Sequence, residues 1–392
     1  MSALINTQAE FRGRAQPLPK LPAQEWRYRL RRVAGKLLGS TERVFSCGYK
    51  HHKSIIDIRR TSHGSLHYAG LETCGSVWTC PVCAARVAEA RRDEVEKIMD
   101  AHTSMGGAVY MATFTIRHHA FQRCGDLRAS LVEAWRRVQQ GSVWQGLKER
   151  YGIIGTIRAL EVTHGQNGWH PHLHLLICTK RILSDVQQSA LADGLWNRWS
   201  SSLHRGGLGS ATRDAFQFDR CGTAADAGAY VAKWGAASEL VKGHAKLARG
   251  GGMSPWQLLR EAGAGSKEAA NLFREYAKAF KGARQLTWSV GFRAAYGFGP
   301  EVDDDHLLED TAFTTETICH LPSGIFRQVV VKEIEVAVLN AADAGIVDAD
   351  GVVVHDPGWP AVLARIRDAG IAWPDGEGWF NRPIAVPESE AA

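Results

Sequence analysis

Ten consecutive residues constrain this chain more than any others: Gly168-Trp169-His170-Pro171-His172-Leu173-His174-Leu175-Leu176-Ile177. The sequence predicts a strand over 171–178, preceded by another over 153–163. Side chains alternate along a strand, so His170, His172 and His174 share one face while Leu173 and Leu175 take the other. The segment ALEVTHGQNGWH folds back as a hairpin whose turn is centred on Gly165-Gln166-Asn167-Gly168, which would bring Glu161 alongside the histidines. A carboxylate in an otherwise apolar strand (Ile157, Leu160, Val162) is costly to bury unless it is paired or metal-bound. Hydrogen-bonded strand histidines are the plain alternative. Three in register beside a carboxylate instead predict a cation held by His172, His174 and Glu161. His170, at the strand's mouth before Pro171, is the more marginal ligand.

A second constellation is Asp226-Ala227-Gly228-Ala229-Tyr230-Val231-Ala232-Lys233-Trp234. On a helix expected over 223–234, Asp226, Tyr230 and Lys233 fall at i, i+4 and i+7 and line one face. Alone, Tyr230 reads as a packing residue. Downstream of a cation site it can attack a phosphodiester, provided the cation polarises the phosphate and Lys233 stabilises the developing charge. The third feature is cysteine. Cys74, Cys80 and Cys83 lie in CGSVWTCPVC, and Cys-Pro-x-Cys is a compact knuckle for a structural zinc. The fourth ligand is Cys47 or one of His51 and His52. Cys124, Cys178, Cys221 and Cys319 lack metal-like spacing and are expected in cores.

The charge is unevenly spread. Residues 1–300 carry 42 Lys/Arg against 23 Asp/Glu, whereas residues 301–392 carry 5 against 18. A basic body of that size suits a polyanionic partner such as nucleic acid, although a solvated basic surface gives the same count. At 45% hydrophobic and 22% charged, the 392 residues exclude wholesale disorder, a collagen-like repeat and a disulfide miniprotein. No apolar run approaches the ~18–20 residues that span a bilayer, and the N-terminus does not read as a secretory signal. A cytoplasmic location is expected, where cysteines bind metal or stay free.

Along the chain, residues 1–40 read as a basic flexible arm and 41–104 as a cysteine-rich module ending in a helix over 84–102. Strands are expected over 108–116 and 215–219, and helices over 127–147, from an N-cap at Ser184 to 199, and over 254–262 and 266–280. A composition shift at 301–310 marks an acidic α/β extension, 299–392.

A hydrophobic strand, then His-hydrophobe-His, then Tyr-x-x-Lys resembles the HUH endonucleases, and more narrowly the single-tyrosine rolling-circle replication initiators of plasmids. Their first motif is similar to Met111-Ala112-Thr113-Phe114-Thr115, their second to His170–Leu176, and their third to Asp226, Tyr230 and Lys233. The segment 254–293 is similar to one found downstream of the tyrosine in such initiators, and the likeness covers roughly 41–298. The acid before the tyrosine is usually glutamate there; here it is Asp226.

The resemblance implies an α+β fold, an HUH-type antiparallel sheet of about five strands flanked by helices, over 105–298. It also implies a nickase dependent on Mg²⁺ or Mn²⁺, in which Tyr230 forms a 5′-phosphotyrosyl link and Asp226 serves the second step. The implied partners are plasmid origin DNA, single-stranded or as a hairpin, and the host helicase and polymerase, with no membrane. An HUH transposase and a non-catalytic zinc-containing DNA-binding regulator share parts of the pattern.

Overall fold

The histidine strand lies at the centre of a five-stranded antiparallel sheet. In the computed structural model, residues 23–61, 64–209, 211–223, 252–304, 306–308, 314–343, 346–347, 353–355 and 359–372 are described. The chain divides into two compact units, one of Met1–Phe45 and Cys74–Leu308, the other of Ser46–Thr73 and Glu309–Ala392. The large sheet belongs to the first. Its strands are β1 (Ala108–Thr115), β2 (Ile153–Gly165), β3 (Gly168–Thr179), β4 (Gln217–Arg220) and β5 (Leu286–Trp288), in spatial order β4-β1-β3-β2-β5. Among the described residues, seven helices accompany them: α1 (Ala23–Leu38), α2 (Pro81–Ser104), α3 (Cys124–Val138), α4 (Gly141–Tyr151), α5 (Asp185–Arg205), α6 (Pro255–Gly263) and α7 (Lys267–Phe280).

The two faces of the sheet follow from the alternation. On one, Val95, Ile98 and Met99 of α2 pack in a core with Val109, Met111, Ile157, Ala159, Leu176 and Cys178. On the other, the buried Phe114 of β1 meets Trp135 of α3 at 5.4 Å and Trp199 of α5 at 5.0 Å between ring centroids. The Trp199 indole N–H donates to the Thr115 carbonyl at 3.0 Å, satisfying its one polar atom inside that core. Leu173 and Leu175 are each 1% exposed, as expected of the residues that anchor the histidine strand.

Helix termini follow local chemistry. Ser184 and Ser254 each close a capping box with the glutamine three residues on, Gln187 and Gln257. The helix expected over 127–147 is instead two. It stops at Val138, the backbone is extended at Gln140, and α4 begins on Gly141 with φ +78°. The Arg198 guanidinium from α5 donates to the carbonyls of Arg137, Val138 and Gln140, occupying acceptors that a continuing helix would have used.

The second unit holds a three-stranded antiparallel sheet in which Ile55–Thr61 lies between Leu66–Ala69 and Thr314–Pro322. Helices Ser323–Val331 and Glu335–Asp343 follow. Ile56 and Ile58 are fully buried, and the Tyr68 hydroxyl donates to the Glu335 carbonyl at 2.8 Å.

Two expectations change here. Residues 23–38, expected within a flexible arm, form a helix that buries Trp26, Tyr28, Leu30 and Ala34. Residues 46–73, expected in the cysteine-rich module, cluster with 309–392, because Ile55–Thr61 offers two edges and the second is filled from far along the chain. The acidic run itself is divided: Asp304 pairs with Arg91 of α2 at 3.0 Å within the first unit. No helix among the described residues is long and apolar enough to cross a membrane.

The β2–β3 hairpin sets everything that follows. Its closing pair is Gly165↔Gly168, and the left-handed backbone falls on Gly168, φ +80°. A Cβ on Gly168 would also lie 2.9 Å from the Ala120 Cα, closer than carbons approach. Gly168→Ala is therefore expected to cost about 1–2 kcal/mol from the left-handed backbone alone, more with the clash. Gly165→Ala, which meets Gly252 Cα only at van der Waals distance, should cost less. Urea denaturation of both variants checks the order.

Candidate functional site

In the hairpin register Glu161 stands directly opposite His172, and Ala159 opposite His174. On the far side of β3, Thr115 pairs with His172 and Thr113 with His174. Paired residues point to the same face, so the apolar core under α2 gives way, along that face, to a patch of Glu161, His172 and His174. The three offer one ligand atom each, all within 4.8 Å of one another. His172 Nε2 is 2.9 Å and His174 Nε2 3.0 Å from the same oxygen, Glu161 Oε2.

The second nitrogens of the rings are also held. His172 Nδ1 is 3.3 Å from the His170 carbonyl, which only accepts, so Nδ1 carries the proton. That leaves His172 Nε2 to present a lone pair to a cation, or a proton to Glu161 when the ring is charged. His174 Nδ1 is 3.1 Å from the Thr113 hydroxyl, which can donate or accept. Such partners fix the tautomer and orientation of ligating imidazoles. Thr113 is visible in the first motif, but its part in orienting His174 emerges only from the β1–β3 register.

Burial pushes the Glu161 carboxyl up, yet the charge and hydrogen bonds of His172 and His174 outweigh it and hold the acid well below the usual carboxylate range. It is thus an anion whenever the imidazoles face it, as a cation ligand must be. His170 stands outside the group of three. Its ring stacks on His118 at 4.8 Å, and burial, followed by the charges of His172 and His118, draws it down to about 4. His170 is neutral at pH 7. A two-imidazole, one-carboxylate donor set suits a transition ion such as Mn²⁺ better than Mg²⁺, which prefers oxygen. Asp226, Tyr230 and Lys233 lie outside the described residues.

The cysteines form a separate group. Cys47, Cys74, Cys80 and Cys83 are all buried, and their sulfurs lie within 4.8 Å of one another. Cys80 is the N-cap of α2, its sulfur accepting from the Cys83 N–H at 3.5 Å, as a thiolate at a helix N-terminus would. Cys74 and Cys83 sulfurs are 3.7 Å apart. A tetrahedron with metal–sulfur bonds of about 2.3 Å has edges of about 3.8 Å, so the donor set and its span fit a metal such as zinc. Of the candidates for the fourth ligand, Cys47 joins the group. Cys124, Cys178, Cys221 and Cys319 are buried thiols, with burial pushing Cys319 up to about 12.

Comparison with known proteins places this site in a family. A profile described as "Replication protein" matches residues 66–311, which include β1, the β2–β3 hairpin and three of the four clustered cysteines. The chain is 28% identical over 403 residues to a "Protein rep" of Streptomyces lividans, covering 86% of this chain and 82% of that one. A "Protein rep" of Streptococcus pneumoniae is 25% identical over 168 residues, 41% of this chain and 49% of its own. One from Bacillus amyloliquefaciens is 26% identical over 179 residues, 44% and 49% respectively. No solved structure matches.

Two measurements test the groups. By calorimetry, His172→Ala with His174→Ala is expected to remove Mn²⁺ binding, Glu161→Gln to weaken it at least ~10-fold, and His170→Ala to leave it unchanged. Protons compete with the cation for the same Nε2 lone pairs, so affinity should fall as the pH is lowered. Separately, the purified chain should carry about one equivalent of zinc that Cys80→Ser with Cys83→Ser removes, with a lower Tm. Zinc near zero in anaerobically prepared wild type would refute that assignment.

Proposed function

The chain belongs to the replication-protein family, and on that premise we propose that it initiates rolling-circle replication of a plasmid by nicking and rejoining single-stranded origin DNA. The observation that carries this reading is the Glu161, His172 and His174 group on the β2–β3 hairpin, whose histidine strand is central in the sheet. A divalent cation held there supplies charge withdrawal from the scissile phosphate.

The remaining chemistry belongs to the chain's own residues. Glu161, His172 and His174 present their ligand atoms from a rigid hairpin, and Thr113 and the His170 carbonyl keep both rings oriented. Tyr230 attacks in line: its phenolic oxygen bonds to phosphorus, the bond from phosphorus to the 3′ oxygen breaks, and the proton passes to the freed 3′-hydroxyl. The products are a 5′-phosphotyrosyl link and a primer end. Lys233 neutralises charge developing on the phosphate. Asp226, four residues before Tyr230 in the sequence, accepts a proton from the water or strand end that later releases the link. The order and spacing of Asp226, Tyr230 and Lys233 behind the histidine strand support these roles.

In this reading residues 105–298 form the endonuclease and DNA-binding domain, and the four cysteines hold a structural zinc. The substrate is origin DNA, single-stranded or extruded as a hairpin. The new 3′ end is handed to the host polymerase behind a host helicase, in the cytoplasm.

The experiment is covalent capture on an oligonucleotide spanning the plasmid's own origin, with Mn²⁺ present. Wild type should form a protein–DNA adduct and Tyr230→Phe should not, while binding survives through phosphate contacts. Asp226→Ala should form the adduct but release it ~10²–10⁴-fold more slowly, the usual worth of a general base. Nicking by Tyr230→Phe at the wild-type rate would remove the nucleophile assignment.

A further inference from the structure

The break between α3 and α4 leaves a groove of about 420 Å³ lined by Arg136, Arg137, Gln140, Gly141, Arg198 and Arg205. Four of its six lining residues are arginines and none is an acid. Among the described residues, the one carboxylate that pairs with any of the four is Glu133, bonded by Arg136 through Nε and Nη2 at 2.6 and 2.8 Å and approached by Arg137 Nε at 3.2 Å. Arg198 spends Nε and Nη2 on the backbone carbonyls that end α3. Arg205 spends Nε on the Ser201 carbonyl at 3.4 Å.

Each guanidinium is therefore positioned by one edge and leaves the other edge unused. Nη1 of Arg136 and of Arg198, and both Nη groups of Arg137 and Arg205, make no hydrogen bond among the described residues. Gly206 keeps the space open: a Cβ there would stand 2.6 Å from Arg137 Nη1. Burial, and to a lesser degree the charge of Arg205, draws the Arg198 guanidinium down. Planar guanidiniums with free paired N–H groups match phosphate oxygens bidentately.

α3 and α5 pack on the Phe114 face of the sheet, whereas Glu161 and His172 lie on the opposite face. A strand end seated at the metal group is thus on the other side of the sheet from this groove. We propose that the groove is a second nucleic-acid site, which grips the phosphodiester backbone of duplex DNA flanking the cleaved strand. The identity of the polyanion rests on the function proposed above; the anion-binding chemistry rests on the arginines alone.

The test is Arg136→Ala combined with Arg205→Ala, the Arg136 side chain being 59% exposed and Arg198 left in place to end α3. Binding is followed by fluorescence anisotropy over a salt series in EDTA, on an origin hairpin with a long duplex flank and on a short single-stranded oligonucleotide across the nick site. For the hairpin, the slope of log affinity against log salt should fall by about two, roughly one unit for each phosphate that an arginine no longer neutralises, with weaker binding at every salt concentration. The short oligonucleotide should bind as it does to wild type. An unchanged slope on the hairpin, or an equal loss on both DNAs, overturns the proposal. Thermal stabilisation of wild type by inorganic phosphate, abolished in the variant while the DNA slope stays unchanged, would reassign the groove to a free anion. Adduct formation reads out separately: a chain that forms none but shows the slope change keeps the groove and loses the nickase, and the reverse result does the opposite.

Discussion

A carboxylate held between two imidazoles is stable only if the three groups are delivered together, because each alone would be an expensive polar group near the edge of an apolar face. The β2–β3 hairpin makes that delivery. Its closing glycine pair fixes the register, and a slip of one residue would turn Glu161 to the tryptophan-lined core on the other face and His172 away from its partner. Phe114, Leu173 and Leu175 oppose such a slip, since it would drive their side chains out of that core. The aromatic packing beneath α3 and α5 therefore acts on the chemistry of the opposite face without touching it.

Much of this was legible in the sequence because the signals are local. Alternation in His170–Ile177 and the glycines around Gln166-Asn167 predict a hairpin with Glu161 beside the histidines, and the register pairs Glu161 with His172. The cap at Ser184 needs only four residues to be read. Other features are not local. The interruption of the helix expected over 127–147 depends on Arg198, some sixty residues away, competing for its terminal carbonyls. The helix over 23–38 reads as part of a basic arm because arginines recur through it, yet Tyr28 takes the Arg31 guanidinium on its ring face at 4.7 Å. His170 could not be separated from its neighbours by alternation, which is blind to the His118 ring that claims it.

The two candidate metal groups differ in how they relate to folding. The hairpin group is already internally satisfied, since the same Nε2 atoms that would meet a cation meet Glu161 without one, and Thr113 can serve either tautomer of His174. The cysteine group differs in kind, because sulfur is a weak hydrogen-bond partner and burial alone disfavours the thiolate. With no cation in the first group, Glu161 would still pair with both imidazoles.

The smaller unit carries a consequence for how the chain is made. Its middle strand, Ile55–Thr61, pairs on one edge with Leu66–Ala69 only a few residues on, and on the other with Thr314–Pro322. During synthesis the first hairpin is complete when some seventy residues have emerged, while its third strand is still some 250 residues from being translated. At the ~5–20 residues per second of a ribosome, that edge stays open for tens of seconds. A two-stranded ribbon is marginal by itself, and its bare edge is a template for pairing with other chains. The nascent chain thus passes through a sticky interval whose length is set by translation of everything between, and a ribosome that stalls before residue 314 prolongs it.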